Sequence, residues 1–157
     1  MPAFLHCACV ELYHLLMRFL GIDVGRRRVG LAISDASGTL ARPLTTLTLA
    51  RANEAVDRVA EVVQRLAGED DGLTAVVVGL PARLDGTPTD TTAEIAAFIT
   101  ALGGRTAVPI VSEDERLTSH KAEQRLAVRE RDFRKRKATL DAAAAAIILQ
   151  DYLDRRR

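Results

Sequence analysis

The stretch Arg18-Phe19-Leu20-Gly21-Ile22-Asp23-Val24-Gly25, followed by Arg26-Arg27-Arg28 and then Val29-Gly30-Leu31-Ala32-Ile33-Ser34, decides the fold. Residues 18–24 are apolar almost throughout, as in a central strand buried on both faces. The run ends in a carboxylate, Asp23. A charge at the end of a buried strand is costly unless it has a partner, and a metal ion is one of the few that suit it. Arg26 to Arg28 make a short polar turn. Residues 28–34 then alternate, with Val29, Leu31 and Ile33 on one face and Gly30, Ala32 and Ser34 on the other.

Working outward, Asp35-Ala36-Ser37-Gly38 is a turn, and Leu40 to Thr48 a Thr-rich third strand. These three strands form an antiparallel meander. The pattern then changes to helical spacing. Asn53 is placed to cap a helix over 54–67, with Val56, Val59, Ala60, Val63 and Leu66 inward. Thr74 to Val78 is a fourth strand ending at Gly79-Leu80-Pro81. A polar loop from Asp85 to Asp90 leads into a helix over 91–102, which Gly103-Gly104 ends. Val108 to Ser112 is a fifth strand, and helices are expected over 118–130 and 139–154. The order βββ-α-β-α-β-α-α predicts an α/β fold: a ribonuclease-H-like mixed five-stranded sheet with helices on both faces. The connection between strands four and five is expected to be a right-handed crossover.

The length of 157 residues suits one domain with a real core. That domain is expected over 17–157, because Met17 reads as a natural start at the first core strand. Residues 1–16 read as an N-terminal extension or a misplaced start. Aromatic residues make up 4% with no Trp, which argues against an aromatic base-stacking platform. No apolar run reaches the ~18 residues of a membrane span. Cys7 and Cys9 are too close for an ordinary disulfide framework, and a reducing cytoplasm is expected. They could bind a metal with His6 and His14, but no second ligand pair follows at zinc-finger spacing.

Two further acids stand out. Asp23 lies at the carboxyl end of its strand, the edge where α/β sheets bind ligands. Glu115 follows strand five and reaches the same edge if that strand neighbours the first. Asp141 opens the last helix, with Thr139 as its expected N-cap. Ala142 to Ala146 are five consecutive alanines, small enough to let that helix press on the sheet and bring Asp141 towards Asp23. Each acid also has a local reading: a turn carboxylate for Asp23, an ion pair with Arg116 for Glu115, a helix-dipole contact for Asp141. Three carboxylates at one point repel each other unless divalent cations relieve them. Mg²⁺ and Mn²⁺ take such oxygen ligands. Two such ions about 4 Å apart activate water and stabilise a leaving oxygen in phosphodiester cleavage.

Several motifs in order resemble the YqgF/RuvX family, the Holliday junction resolvase-like proteins also described as pre-16S rRNA nucleases. They are Gly21-Ile-Asp-Val-Gly25 with Arg28-Val-Gly-Leu-Ala-Ile-Ser-Asp35, then Val77-Val-Gly-Leu-Pro81 with Asp85-Gly86. Asp114-Glu-Arg-Leu-Thr118 follows, then Lys135-Arg-Lys137 leading into Asp141-x-x-Ala-Ala and Ile148-Leu149-Gln150. The resemblance covers about residues 17–154. It implies a ribonuclease-H-like fold, a metal-dependent nuclease, and Asp23, Glu115 and Asp141 as catalytic carboxylates. It also implies maturation of the 5′ end of 16S rRNA, with a resolvase role by analogy to RuvC. One departure is the loop after Pro81, where the family often carries Asn before Asp-Gly and this chain has Arg83-Leu84.

Charge is unevenly spread. Residues 1–114 hold 10 Lys/Arg against 14 Asp/Glu, and residues 115–157 hold 12 against 7. Arg26, Arg27 and Arg28 crowd the turn beside Asp23, Arg116 sits beside Glu115, and Arg134, Lys135, Arg136 and Lys137 precede Asp141. All are candidate phosphate contacts, which give affinity and salt dependence rather than sequence choice. The expected partner is nucleic acid: pre-16S rRNA, branched DNA, or ribosomal particles, met by a monomer or homodimer. Two other functions begin from the same residues. An actin-like ATPase or phosphotransferase also opens with a meander and an Asp-x-Gly turn, but needs a second lobe. A non-catalytic RNA-binding module would be weakened by three acids facing a polyanion.

Overall fold

The computed structural model describes residues 16–81, 85–114 and 133–157, with 133–137 as backbone. Its elements are β1 (Phe19–Val24), β2 (Arg28–Ser34), β3 (Ala41–Thr48), a 3₁₀ turn (Ala52–Glu54), α1 (Ala55–Ala67), β4 (Ala75–Leu80), α2 (Asp90–Gly103), β5 (Ile110–Asp114) and α3 (Phe133–Arg155). The expected helix over 118–130, the Arg83-Leu84 loop and the Cys7/Cys9 segment lie outside the described residues.

The five strands form one mixed sheet in the order β3-β2-β1-β4-β5. β1 pairs antiparallel with β2 and parallel with β4, and β4 pairs parallel with β5. The alternation in β2 is kept. Val29, Leu31 and Ile33 join Leu20, Ile22, Val76 and Val78 in a core closed by α1 and α2. On the other face Phe19, Ala32, Ala75 and Val77 pack against Ala145, Ile148, Leu149 and Leu153 of α3. The fold is thus the ribonuclease-H-like mixed sheet with helices on both faces.

Two local expectations need correction, and one condition is not met. β5 does not neighbour β1; β4 lies between them. The burial explains this, since Val76, Val77 and Val78 are fully buried while β5 alternates between half-buried and exposed, as at an edge. Asn53 does not cap α1. The chain enters through the 3₁₀ turn, and no side chain caps either helical start. Asp141 does not open α3, nor does Thr139 cap it, because the helix already runs from Phe133.

Other junctions follow the residues closely. Asp35 closes the β2–β3 turn by accepting from the backbone N–H groups of Thr39 and Leu40 and from the Ser37 and Thr39 hydroxyls. These donors hold its carboxyl well below the usual carboxylate range. Gly38 sits at φ 67°, where an L side chain is strained. Thr89 caps α2 in a reciprocal box with Thr92. Thr89→Ala is expected to lower stability by about 1 kcal/mol in urea unfolding.

Candidate active site at the carboxyl edge of the sheet

Asp23 is the fifth of six residues in β1. Its face is set by its neighbours: Phe19 and Gly21 meet α3, whereas Leu20 and Ile22 meet α1 and α2. Asp23 therefore points to the α3 face. No hydrogen-bond donor among the described residues meets its carboxylate. Burial, with Asp141 as a second negative charge, pushes its carboxyl from 3.8 up to about 6.

Glycines bring α3 to this point. Gly30 lies directly opposite Asp23 in the β1–β2 ladder. A Cβ built on Gly30 would stand 2.0 Å from the Asp141 carbonyl oxygen, so only glycine fits there. One on Gly21 would stand 2.7 Å from Leu149 Cβ and 2.9 Å from the Ala145 carbonyl oxygen. Ala142 and Ala145 are buried in the same seam, as the alanine run suggested. The Thr46 hydroxyl donates to the Ala138 carbonyl at 2.5 Å, tying α3 to β3.

Asp141 is held by Arg28, whose Nε lies 2.5 Å from its Oδ2. Both side chains are about a quarter exposed, at 28% and 26%. Arg28 is therefore turned onto a carboxylate, a contact that the run of three arginines did not disclose. Arg27 is exposed in the turn. Arg26 meets Glu94 of α2 at 3.1 Å in an open pair.

Glu115 and Arg116 lie outside the described residues, as do the side chains of Arg134, Lys135, Arg136 and Lys137. Asp114 ends β5 at the same carboxyl edge as Asp23, because β1, β4 and β5 run parallel. With β4 between them, strand spacing separates β1 from β5 by about 10 Å. Glu113 lies on the α3 face, paired with Gly79 of β4 and bonded to Arg155. Its side chain is 11% exposed, so this acid ties the end of α3 to β5. Among the described residues, no group of three acids, histidines or cysteines is close enough to share a metal ion. Asp23 and Asp141 are the two acids that come together.

A family profile described as "RuvX: Holliday junction resolvase" matches residues 17–155. The chain belongs to the RuvX family. Its RuvX relatives include a protein of Anaeromyxobacter sp. (strain K), 41% identical over 140 residues that cover 89% of this chain and 98% of that one. A protein of Chloroflexus aggregans is 43% identical over 138 residues, covering 88% and 94%. Both carry the name "Putative pre-16S rRNA nuclease". Among solved structures, T. thermophilus RuvC in complex with a Holliday junction substrate is similar with a TM-score of 0.53, at 19% identity over 89% of this chain and 95% of that chain. Fowlpox virus resolvase with Holliday junction DNA gives a TM-score of 0.56, at 10% identity over 88% and 98%. These likenesses place the RuvX chain in the resolvase-type ribonuclease-H-like fold.

Proposed function

We propose that this chain is a divalent-metal-dependent nuclease that hydrolyses phosphodiester bonds in maturing the 5′ end of the 16S rRNA precursor. The observation that carries it is Asp23. It is a half-buried carboxylate with no donor among the described residues, facing a second carboxylate at the sheet's carboxyl edge. Such a pair is unfavourable alone and suits hard cations with oxygen ligands, Mg²⁺ or Mn²⁺. Asp23 and Asp141 would hold the ion, and Glu115 would complete the set. When bound, the ion would supply charge stabilisation and activation of water. The chain's own contribution is to fix the two acids: Gly30 admits the helix, and Arg28 occupies Oδ2 of Asp141 and orients its carboxylate. The names of the RuvX relatives support the substrate, and no described helix is long and apolar enough to cross a membrane. A cytoplasmic site of action, on rRNA or ribosomal particles, follows from that reading.

Two expected results arise here. Arg28→Gln should lower cleavage about ten- to a hundredfold while the chain stays folded, as for other groups that orient metal ligands. Replacing Arg134, Lys135, Arg136 and Lys137 together by Gln should weaken RNA binding and flatten its salt dependence, by about 0.7 in slope for each phosphate no longer neutralised. An unchanged slope would remove this segment from the interface.

The family description favours a second reading, a Holliday junction resolvase acting on branched DNA. Incubating the protein with a 5′-extended 16S precursor fragment and with a four-way DNA junction, in Mg²⁺, Mn²⁺ or EDTA, separates the two. Trimming of the precursor supports the rRNA role. Symmetric cutting of the junction alone supports the resolvase. Cutting of neither, with binding intact, would make the chain a binding module.

A further inference from the structure

Asp23 and the residues after it serve opposite faces of the sheet. Asp23 points towards α3. Val24, the next residue, packs into the core under α1 and α2. On that side Val24, Gly25 and Arg26 border a dent of about 440 Å³ between the start of α1 and the first turns of α2. Its floor is apolar: Ala55, Ile95 and Phe98 are 6%, 3% and 7% exposed. Its lip is polar, with Arg26 and Glu94 paired at 3.1 Å and both largely in solvent. An exposed pair of this kind is weakly held and opens readily to other partners.

An apolar floor with donors and acceptors only at the lip fits a flat heteroaromatic ring, whose faces are apolar and whose edge is polar. The volume lies in the range of small-ligand sites, about 300–1,000 Å³. The dent is also joined to Asp23 by a single turn of chain, Val24-Gly25-Arg26, although it opens on the other face of the sheet. That turn is tight: a Cβ on Gly25 would stand 2.7 Å from the Arg28 carbonyl oxygen. A strand crossing the sheet edge at Gly25 meets the carboxylates on one side and the dent on the other.

We propose that this dent receives one unstacked base of the RNA strand held at Asp23 and Asp141, with Ile95 and Phe98 under the ring and Arg26 and Glu94 at its edge. The proposal rests on the nuclease reading. Single-stranded RNA is commonly read by splaying bases out of the stack. A seated base would fix the register of the strand and so select which phosphodiester lies over the carboxylates.

The test uses the full chain in EDTA with single-stranded RNA probes, each carrying 2-aminopurine at one successive position. On binding, one position should brighten about twofold or more as its base unstacks, while the others change little. Ala52→Leu and Thr91→Leu each fill the dent from its exposed rim and touch neither the core nor the carboxylates. Both should abolish the position-specific signal while RNA is still bound. Equal brightening at every position, or a signal that survives both substitutions, overturns the proposal and leaves the nuclease reading standing. Failure of the unmodified chain to bind any probe overturns the base site, while the nuclease reading is decided separately by cleavage of the precursor fragment in Mn²⁺.

Discussion

Asp23→Asn is expected to abolish cleavage and, in metal-free buffer, to make the protein more stable. The two effects have one cause. Burial beside Asp141 raises the Asp23 carboxyl from 3.8 to about 6. A raised acid opposes folding wherever it must be charged. Below about pH 3.8 the group is protonated in both folded and unfolded chains and costs nothing. The cost grows as pH rises through 6 and is then complete, at about 3 kcal/mol. Asparagine carries no charge, but its amide is buried without a partner, so the net gain at pH 8 is about 2 kcal/mol. Urea unfolding in EDTA should show the variant ahead at pH 8 and slightly behind the parent at pH 4, where the charge cost has nearly gone and the amide cost remains. Added Mg²⁺ or Mn²⁺ should stabilise the parent and leave the variant unmoved, because only the parent gains a ligand on folding. Cleavage should fall at least about a hundredfold. A variant less stable than the parent at pH 8 would make Asp23 a structural residue.

Substitution of Gly30 should be the most damaging change on the α3 face. A Cβ there would lie 2.0 Å from the Asp141 carbonyl oxygen and 2.9 Å from the Ala142 backbone nitrogen, and neither is a flexible tip that can swing away. The helix must lift, taking Asp141 from Asp23 and loosening the packing of Ala145 and Leu149. Gly30→Ala should cost about 3 kcal/mol or more and remove activity. Gly21→Ala, with its closest approach at 2.7 Å to a side-chain carbon, should cost less. Gly103→Ala is the control. It sits in the last turn of α2 with its nearest neighbour at 3.9 Å, and should be neutral or stabilising by about 0.5 kcal/mol. Urea midpoints in that order, with activity falling along the same series, would support close approach as the device that builds the site. Equal effects at Gly30 and Gly103 would refute it.

Much of this arrangement is legible in the residues themselves. The β2 alternation is readable because its two faces meet different layers: large aliphatics face α1 and α2, while Gly30 and Ala32 face the closely packed α3. The alanine run announces that close packing. The start of α3 is not legible, because Arg134 to Lys137 have the composition of a solvated linker. Lys, Arg and Ala are also good helix formers, and the helix continues through them. The strand pattern leaves the sheet order open, although its signal exists in the residues. Ala75-Val76-Val77-Val78 has no polar residue and belongs in the centre, whereas Ser112-Glu113-Asp114 belongs at an edge. The Arg28–Asp141 pair spans 113 residues, and no local pattern reveals a contact of that reach. Asn53 has the right chemistry for a cap, but the 3₁₀ entry moves the start of α1 past it.

The central claim is that Asp23 and Asp141 form the working centre of a metal-dependent nuclease. It is tested most directly by following a 5′-extended 16S precursor fragment with the parent protein and the Asp23→Asn variant, each in Mn²⁺ and in EDTA. The account requires cleavage by the parent in Mn²⁺, none in EDTA, and none by the variant in either, with both proteins binding the fragment. Cleavage by the parent in EDTA, or by the variant in Mn²⁺ at the parent's rate, would contradict it.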